Sequence, residues 1–325
     1  MAKIIINGGK TLNGEVKISG AKNAVLPIMS ATLLCPGKFT IYNVPDLRDT
    51  RTMMQLLEIT GAKTSFENGT VHVDTNDVNN PEAPYDLVKT MRASFYVLGP
   101  LISRFGKVQV SLPGGCAWGP RPVDYHLKGL EKLGANLDLE GGNILAEADE
   151  LIGCDIHFEF PSVGATGNLA MAAVRAKGVT RLFNCAKEPE ITQLCEFLNS
   201  MGANIKGIGT DSLVIEGVKE LNQADITVIP DRIEAGTFLM AGALNGEIKI
   251  NNVIPLHLEK VTNKLIETGC QININDDSIS ITPPENLKSV DMTTAVFPGF
   301  PTDLQAQWVA LMSLSDSSSI VTDTV

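Results

Sequence analysis

A chain of 325 residues, with 44% hydrophobic and 19% charged side chains, has the material for two buried cores and shows no disordered or collagen-like bias. Its formal net charge of −11 disfavours nonspecific nucleic-acid binding, while leaving room for a local anion site where basic residues gather. Apolar runs such as Val97 to Ile102 are too short to span a membrane, MAKIIINGGK lacks a signal-peptide layout, and the six cysteines form no CxxC pair. The expectation is a cytoplasmic protein with no membrane contact, no disulfide framework, no metal site and no redox cofactor.

In chain order, IIINGGKTLNGEVKIS reads as a hairpin with no helix of its own. Its GGKT resembles a phosphate loop, yet Ile4 stands where that loop needs glycine, and a strand follows in place of a helix. Next, SGAKNAVLP puts Lys22 and Asn23 at a helix start, where open N–H groups and the dipole favour an anion; the plainer reading is a solvated lysine.

From here the chain repeats itself. A helix rich in small residues, a glycine and a strand make a front half, as in LPIMSATLLCPGKFTIYNVP and LAMAAVRAKGVTRLFNCAKEP. A second helix, a glycine stop and a hairpin make a back half, as in MMQLLEITGAKTSFENGTVHV and LEKVTNKLIETGCQININDDSISIT. The stop glycines Gly61, Gly134, Gly202 and Gly269 recur about every 70 residues. Apolar spacing supports each helix, for instance Ile191, Leu194, Cys195 and Leu198, and Asn68-Gly69, Gly141-Gly142 or Asp276-Asp277 turns the hairpins. The unit is therefore βαβαββ, present four times, with a fifth front half in FPTDLQAQWVALMSLSDSSSIVTDTV; we expect a circular arrangement with units missing.

The most informative loop is LPGGCAWGPRPVDYH, Leu112 to His126, whose glycines and prolines shape a solvent-reaching segment. Cys116 is expected to be the accessible cysteine, with Arg121 near enough in sequence to favour a thiolate or hold an anion; a surface loop with an incidental thiol reads equally well. MRAS (Met91 to Ser94), PSVGATGN (Pro161 to Asn168) and DRIEAGTF (Asp231 to Phe238) each precede a front-half helix, so equivalent positions face one way. FPTDLQAQ brings Asp303 to the same place in the fifth unit, where, on the residues alone, helix capping is the stronger reading. His72, His126, His157 and His257 show no ligand spacing.

The motifs SGAKNAVLP, KTMRAS, LPGGCAWGPRPVDYH, PSVGAT, EPEI, PDRIEAGTF and FPTDLQAQ, in this order and over the whole chain, resemble the UDP-N-acetylglucosamine 1-carboxyvinyltransferase family. The resemblance implies an α/β (α+β) fold, a two-domain inverse α/β barrel whose cleft closes on substrate. Residues 22–229 would form a complete three-unit domain, and residues 1–21 with 230–325 a second one, incomplete at its C-terminal side because the family chain continues beyond Val325. It also implies the first committed step of peptidoglycan precursor synthesis: protonation of phosphoenolpyruvate at C3, attack of the UDP-sugar 3′-hydroxyl on C2, and loss of phosphate.

By the same resemblance Cys116 is the acid and Asp303 the base, while Lys22, Asn23 and Arg121 hold phosphoenolpyruvate. Arg92, Arg121, Pro122, Val123, Asp124, Tyr125, Ser162, Val163, Asp303 and Val325 match positions that hold UDP-N-acetylglucosamine. Phe160 and Trp118 depart from the residues common in relatives. Two alternatives stand beside this: 3-phosphoshikimate 1-carboxyvinyltransferase, which shares the units but lacks a PGGC loop, and a noncatalytic, truncated UDP-sugar-binding paralogue.

Overall fold

The computed structural model describes residues 3–89, 91–112 and 123–325, the side chain of Arg92 apart; Cys116, Trp118, Arg121 and Pro122 lie outside them. The chain begins with β1 (Gly14–Lys17), α1 (Lys22–Ala31), β2 (Lys38–Tyr42), α2 (Arg48–Ile59), β3 (Lys63–Glu67) and β4 (Thr70–Asp74). It continues through β5 (Glu82–Ala83), α3 (Tyr85–Val88), α4 (Leu98–Phe105), β6 (Lys107–Ser111), α5 (Asp124–Lys132), β7 (Asn136–Glu140) and β8 (Asn143–Glu147). Then come β9 (Asp155–His157), α6 (Val163–Ala173), β10 (Val179–Phe183), α7 (Pro189–Ser200), β11 (Asn204–Lys206) and β12 (Ser212–Glu216). A fourth set follows, β13 (Ile226–Thr227), α8 (Arg232–Asn245), β14 (Ile248–Asn251), α9 (Glu259–Glu267), β15 (Gln271–Ile274) and β16 (Ser278–Thr282). The last elements are β17 (Met292–Thr293), α10 (Gln305–Met312) and β18 (Val321–Thr322).

Four sheets of four strands share one plan: a leading strand runs parallel to a second strand, and a hairpin adds antiparallel beyond it. Their orders are β5-β6-β8-β7, β9-β10-β12-β11, β13-β2-β4-β3 and β1-β14-β16-β15. The βαβαββ unit read from the sequence is thus present, with one exchange: β13 leads the sheet of β2, and β1 leads the sheet of β14.

That exchange corrects the expected N-terminal hairpin. Residues 3–13 form no strand, and Ile4, Ile5 and Ile6 are exposed, because Gly14–Lys17 pairs with Ile248–Asn251 and not with the segment before it.

One asparagine fixes the corner after the second strand in three of the units. Asn43, Asn184 and Asn252 take left-handed φ of 57°, 58° and 58°, a conformation asparagine tolerates better than most residues. Their carboxamides donate to the carbonyls just past each leading strand, Val228 at 2.8 Å, Phe158 at 2.9 Å and Ile18 at 2.7 Å. The helix stops Gly61, Gly134, Gly202 and Gly269 also have positive φ, as their role requires. Asn68-Gly69 and Gly141-Gly142 turn left-handed, whereas Asp276-Asp277 does not and is closed by Asn275 N–H to the Ser278 carbonyl at 2.9 Å.

The chain divides into two compact units, Gly20–Ile229 and Met1–Ser19 with Pro230–Val325, each with its own apolar core. In the first, every residue from Ala24 to Ala31 of α1 and from Ala165 to Ala173 of α6 is buried, as helices of small apolar residues must be when covered on all sides. The sheets lie outside them, with alternation such as buried Phe39 and Ile41 against exposed Lys38 and Tyr42 in β2. In the second, α8 packs on β14, β16 and α10, and Phe300 meets Trp308 edge-on with ring centroids 5.4 Å apart. β17 and β18 pair in parallel around the fifth front-half helix.

Candidate functional site

In the Gly20–Ile229 unit, α1, α4 and α6 run in the same direction. At their C-terminal ends Arg104, in the last turn of α4, and Arg175, just past α6, donate to the Leu33 and Leu34 carbonyls past α1, at 3.1 and 2.9 Å. Towards their N-terminal ends Asn168 of α6 accepts the Gly99 N–H at 2.6 Å and donates to the Phe95 carbonyl at 2.9 Å. Lys22 and Asn23 at the start of α1 and Ser162 and Val163 at the start of α6 therefore begin helices that share one heading.

Lys22 and Asn23 are the first two residues of α1, whose N-cap Ala21 has no side-chain oxygen to cap the helix. Pro27 lies inside this helix and has no N–H for the Asn23 carbonyl. Lys22 Nζ lies 3.6 Å from Asp49 Oδ2, both side chains being partly exposed, and Asn23 is exposed. A cation at a positive helix end is arranged to meet an anionic ligand. Arg92 opens a 3-10 turn, Arg92–Val97, entered from extended Met91.

Ser162 is the N-cap of α6: its Oγ accepts from the Ala165 N–H at 3.3 Å, and Val163 is the first helical residue. The serine keeps its hydroxyl hydrogen to donate elsewhere. Val123 stands at the N-cap of α5 and packs on the core. Asp124 follows with its Oδ2 3.3 Å from Lys128 Nζ, while its Oδ1 is buried with no hydrogen-bond partner. A buried carboxylate oxygen without a donor is expensive to leave unmade, and a ligand N–H or O–H would satisfy it. Tyr125 meets Phe158 edge-on at 6.2 Å.

His126, one residue on, is a member that sequence reasoning missed. Its Nδ1 lies 2.9 Å from Asn168 Nδ2, and because Asn168 Oδ1 already accepts from Gly99, that amide must donate and the imidazole proton sits on Nε2. The ring packs edge-on to Phe95 at 5.0 Å, so the first turn of α5 is fixed to both neighbouring helices. A histidine one residue after a predicted ligand run, on the inward side of its helix, was the available signal.

In the Pro230–Val325 unit, Asp231 caps α8, accepting from Ile233 at 2.8 Å and Glu234 at 3.0 Å. Arg232 follows it and lies 5.7 Å from the Phe297 ring centroid. Ser19 is clasped by Glu234, at 3.0 Å from its N–H and 3.2 Å from its hydroxyl.

Asp303 is exposed in the 3-10 turn Thr302–Leu304, and neither that turn nor α10 has a side-chain cap. The capping reading of this carboxylate is therefore corrected. Asp323, not foreseen, anchors the region: it accepts from the Thr294 and Thr302 hydroxyls and, at 3.2 Å, from the Val325 N–H. Those bonds, the Thr294 hydroxyl foremost, hold its carboxyl below the usual range against the opposing effect of burial. Val325, 52% exposed, and the Asp303 turn are thus tied to one carboxylate. Among the described residues no group of three or more His, Cys, Asp and Glu side chains is placed to hold a metal, and no helix is long and apolar enough to cross a membrane.

The family model for EPSP synthase (3-phosphoshikimate 1-carboxyvinyltransferase) matches residues 6–324. The chain is 52% identical to the UDP-N-acetylglucosamine 1-carboxyvinyltransferase of Chlorobaculum parvum, with all of this chain and 78% of that protein aligned. The protein of the same name from Desulfosudis oleivorans is likewise 52% identical, with the same coverage. Among solved structures, the enolpyruvyl transferase NikO from Streptomyces tendae superposes with a TM-score of 0.88 at 24% identity, covering 98% of this chain and 76% of that one. An EPSP synthase from Acinetobacter baumannii gives 0.72 at 18% identity, covering 98% and 75%. The superpositions establish the fold and the identities establish the lineage: the chain belongs to the UDP-N-acetylglucosamine 1-carboxyvinyltransferase family.

Proposed function

We propose that the chain transfers the enolpyruvyl group of phosphoenolpyruvate to the 3′-hydroxyl of UDP-N-acetylglucosamine, releasing phosphate in the cytoplasm. The observation that carries this reading is the 52% identity, over the whole chain, to proteins bearing that name. Lys22 and Asn23 at the start of α1 receive the anionic donor. Ser162 and Val163 at the start of α6, Arg92 at the start of its turn, and Val123 to Tyr125 at the start of α5 receive the UDP-sugar. Asp124 Oδ1 supplies a buried acceptor suited to a ligand N–H.

In the addition step a proton joins C3 of phosphoenolpyruvate while the sugar oxygen bonds C2 and gives its proton to Asp303. Elimination then removes a proton from C3 and expels phosphate, restoring the double bond. Its exposed place in the turn before α10 suits Asp303 to the base role. Cys116 as the acid, and Arg121 and Pro122 as ligands, lie outside the described residues and rest on the motif alone.

The test is to incubate the 325-residue chain with phosphoenolpyruvate and UDP-N-acetylglucosamine and follow phosphate and product mass. The expected product is the enolpyruvyl ether of the UDP-sugar. Turnover with shikimate 3-phosphate and none with UDP-N-acetylglucosamine would transfer the assignment to the related enzyme. Tight UDP-sugar binding with no phosphate released would make the chain a binding protein.

A further inference from the structure

The opposite end of the same helices carries a second basic site. Where α4, α6 and the 3-10 extension of α1 (Thr32–Leu34) end together, a cleft of about 1040 Å³ opens beside Ser103, Arg104, Arg175 and Lys177. Arg104 donates to the Leu33 carbonyl at 3.1 Å and the Thr75 carbonyl at 3.2 Å and lies over the Phe105 ring at 5.0 Å; Arg175 donates to the Leu34 carbonyl at 2.9 Å. Among the described residues neither guanidinium is paired with a carboxylate. Each carries five N–H groups, so both forks keep donors to spare.

Three further observations point to an anion. Cys35 beside the two arginines is held as a neutral thiol, burial pushing it up, so it cannot compensate their charge. Ser103 Oγ, on the cleft wall, is buried with no hydrogen-bond partner. Lys107 and Lys219 bring the lining cations among the described residues to five against three carboxylates, Glu147, Asp149 and Glu150, the last already engaged by Lys177 at 3.4 Å. The Leu33 and Leu34 carbonyls that end the 3-10 extension, which would repel an anion, already have arginine donors.

We propose that this cleft binds a small oxyanion of the phosphate class, gripped by Arg104 and Arg175 with Ser103 donating. The site is separated from Ser162 by the length of α6, about 16 Å for its eleven residues, and is distinct from the end that holds Lys22. Bidentate guanidinium forks and a hydroxyl match tetrahedral oxygens, and the field is locally basic in a chain of net charge −11.

Calorimetric titration of the intact chain with inorganic pyrophosphate tests this, alongside Lys22→Ala, Ser103→Ala, Arg175→Gln and Lys219→Glu, each checked by thermal melting. Saturable binding is expected to survive Lys22→Ala and excess phosphoenolpyruvate. It should weaken about tenfold, equivalent to about 1.4 kcal/mol, in Arg175→Gln, and measurably in Ser103→Ala and Lys219→Glu. The last two alter an unpartnered hydroxyl and an exposed lysine, so they decide the matter even if Arg175→Gln fails to fold. No binding at millimolar pyrophosphate overturns the proposal, as does binding abolished by Lys22→Ala, or binding unchanged in both Ser103→Ala and Lys219→Glu. The arginines would then only cap carbonyls.

Discussion

His257 makes the Pro230–Val325 unit sensitive to mild acid. It sits in the 3-10 turn Pro255–Leu258, and burial first, with the Arg232 guanidinium second, pushes its pKa from 6.5 down to about 4. Between those two values the unfolded chain takes up a proton that the folded ring refuses. Stability is therefore intact above about pH 6.5, falls as pH drops toward 4, and levels off below it. At about 1.4 kcal/mol per pH unit the interval sets a ceiling of about 3.4 kcal/mol. Because the imidazole is only partly buried, solvent screening reduces this to about 1–2 kcal/mol. Urea unfolding at several pH values, followed by the buried Trp308 in a Trp118→Phe background, measures it. The quantity to read is the difference in pH slope between the parent and His257→Gln, since other carboxylates titrate in both. Parallel curves from pH 7 to 4.5 would refute the reasoning.

The repeat was legible because it is written in local chemistry. Glycines at helix stops need positive φ, and all four have it. The leading-strand exchange was not legible, since β1 and β13 are short and the residues they pair with lie far along the chain: Gly14 opposite Ile248, Ile226 opposite Ile41. Asn43, Asn184 and Asn252 carried that information, for each follows its second strand and bonds the segment beyond the exchanged or native leading strand. The site divides similarly. Lys22, Ser162 and Asp303 could be placed at element starts from their motifs, whereas Asp323 gains its role only through hydroxyls 29 and 21 residues away. His126 likewise depends on Asn168, 42 residues distant. Asp303 could not be separated from a cap by sequence, because an acidic residue in a first turn fits both roles.

Three further outcomes follow from specific residues. Asp303→Asn should lower phosphate release by about 10²–10⁴-fold, as removal of a proton acceptor does; an unchanged rate removes Asp303 from the chemistry. Asn252→Ala, which loses the 2.7 Å bond to Ile18 and leaves alanine at φ 58°, should destabilise the Pro230–Val325 unit by about 1–3 kcal/mol; a urea midpoint shift near zero contradicts the account of the corner. The last concerns Cys116 and proceeds by elimination from the five described cysteines. Burial raises the pKa of Cys35, Cys154 and Cys270, and raises Cys185 and Cys195 to about 12. At pH 7.5 a thiol of pKa 12 is thiolate in roughly one molecule in thirty thousand, and only thiolate attacks an alkylating agent. Iodoacetamide should therefore modify Cys116 first, half-buried Cys154 more slowly, and Cys185 and Cys195 last, as peptide mapping over time will read. An epoxide bearing a phosphonate should narrow the selection to Cys116, because the phosphonate would be held by the same cations as phosphoenolpyruvate. Faster labelling of Cys154 than of Cys116 by the epoxide would detach the thiol from the anion site and with it the acid role assigned to Cys116.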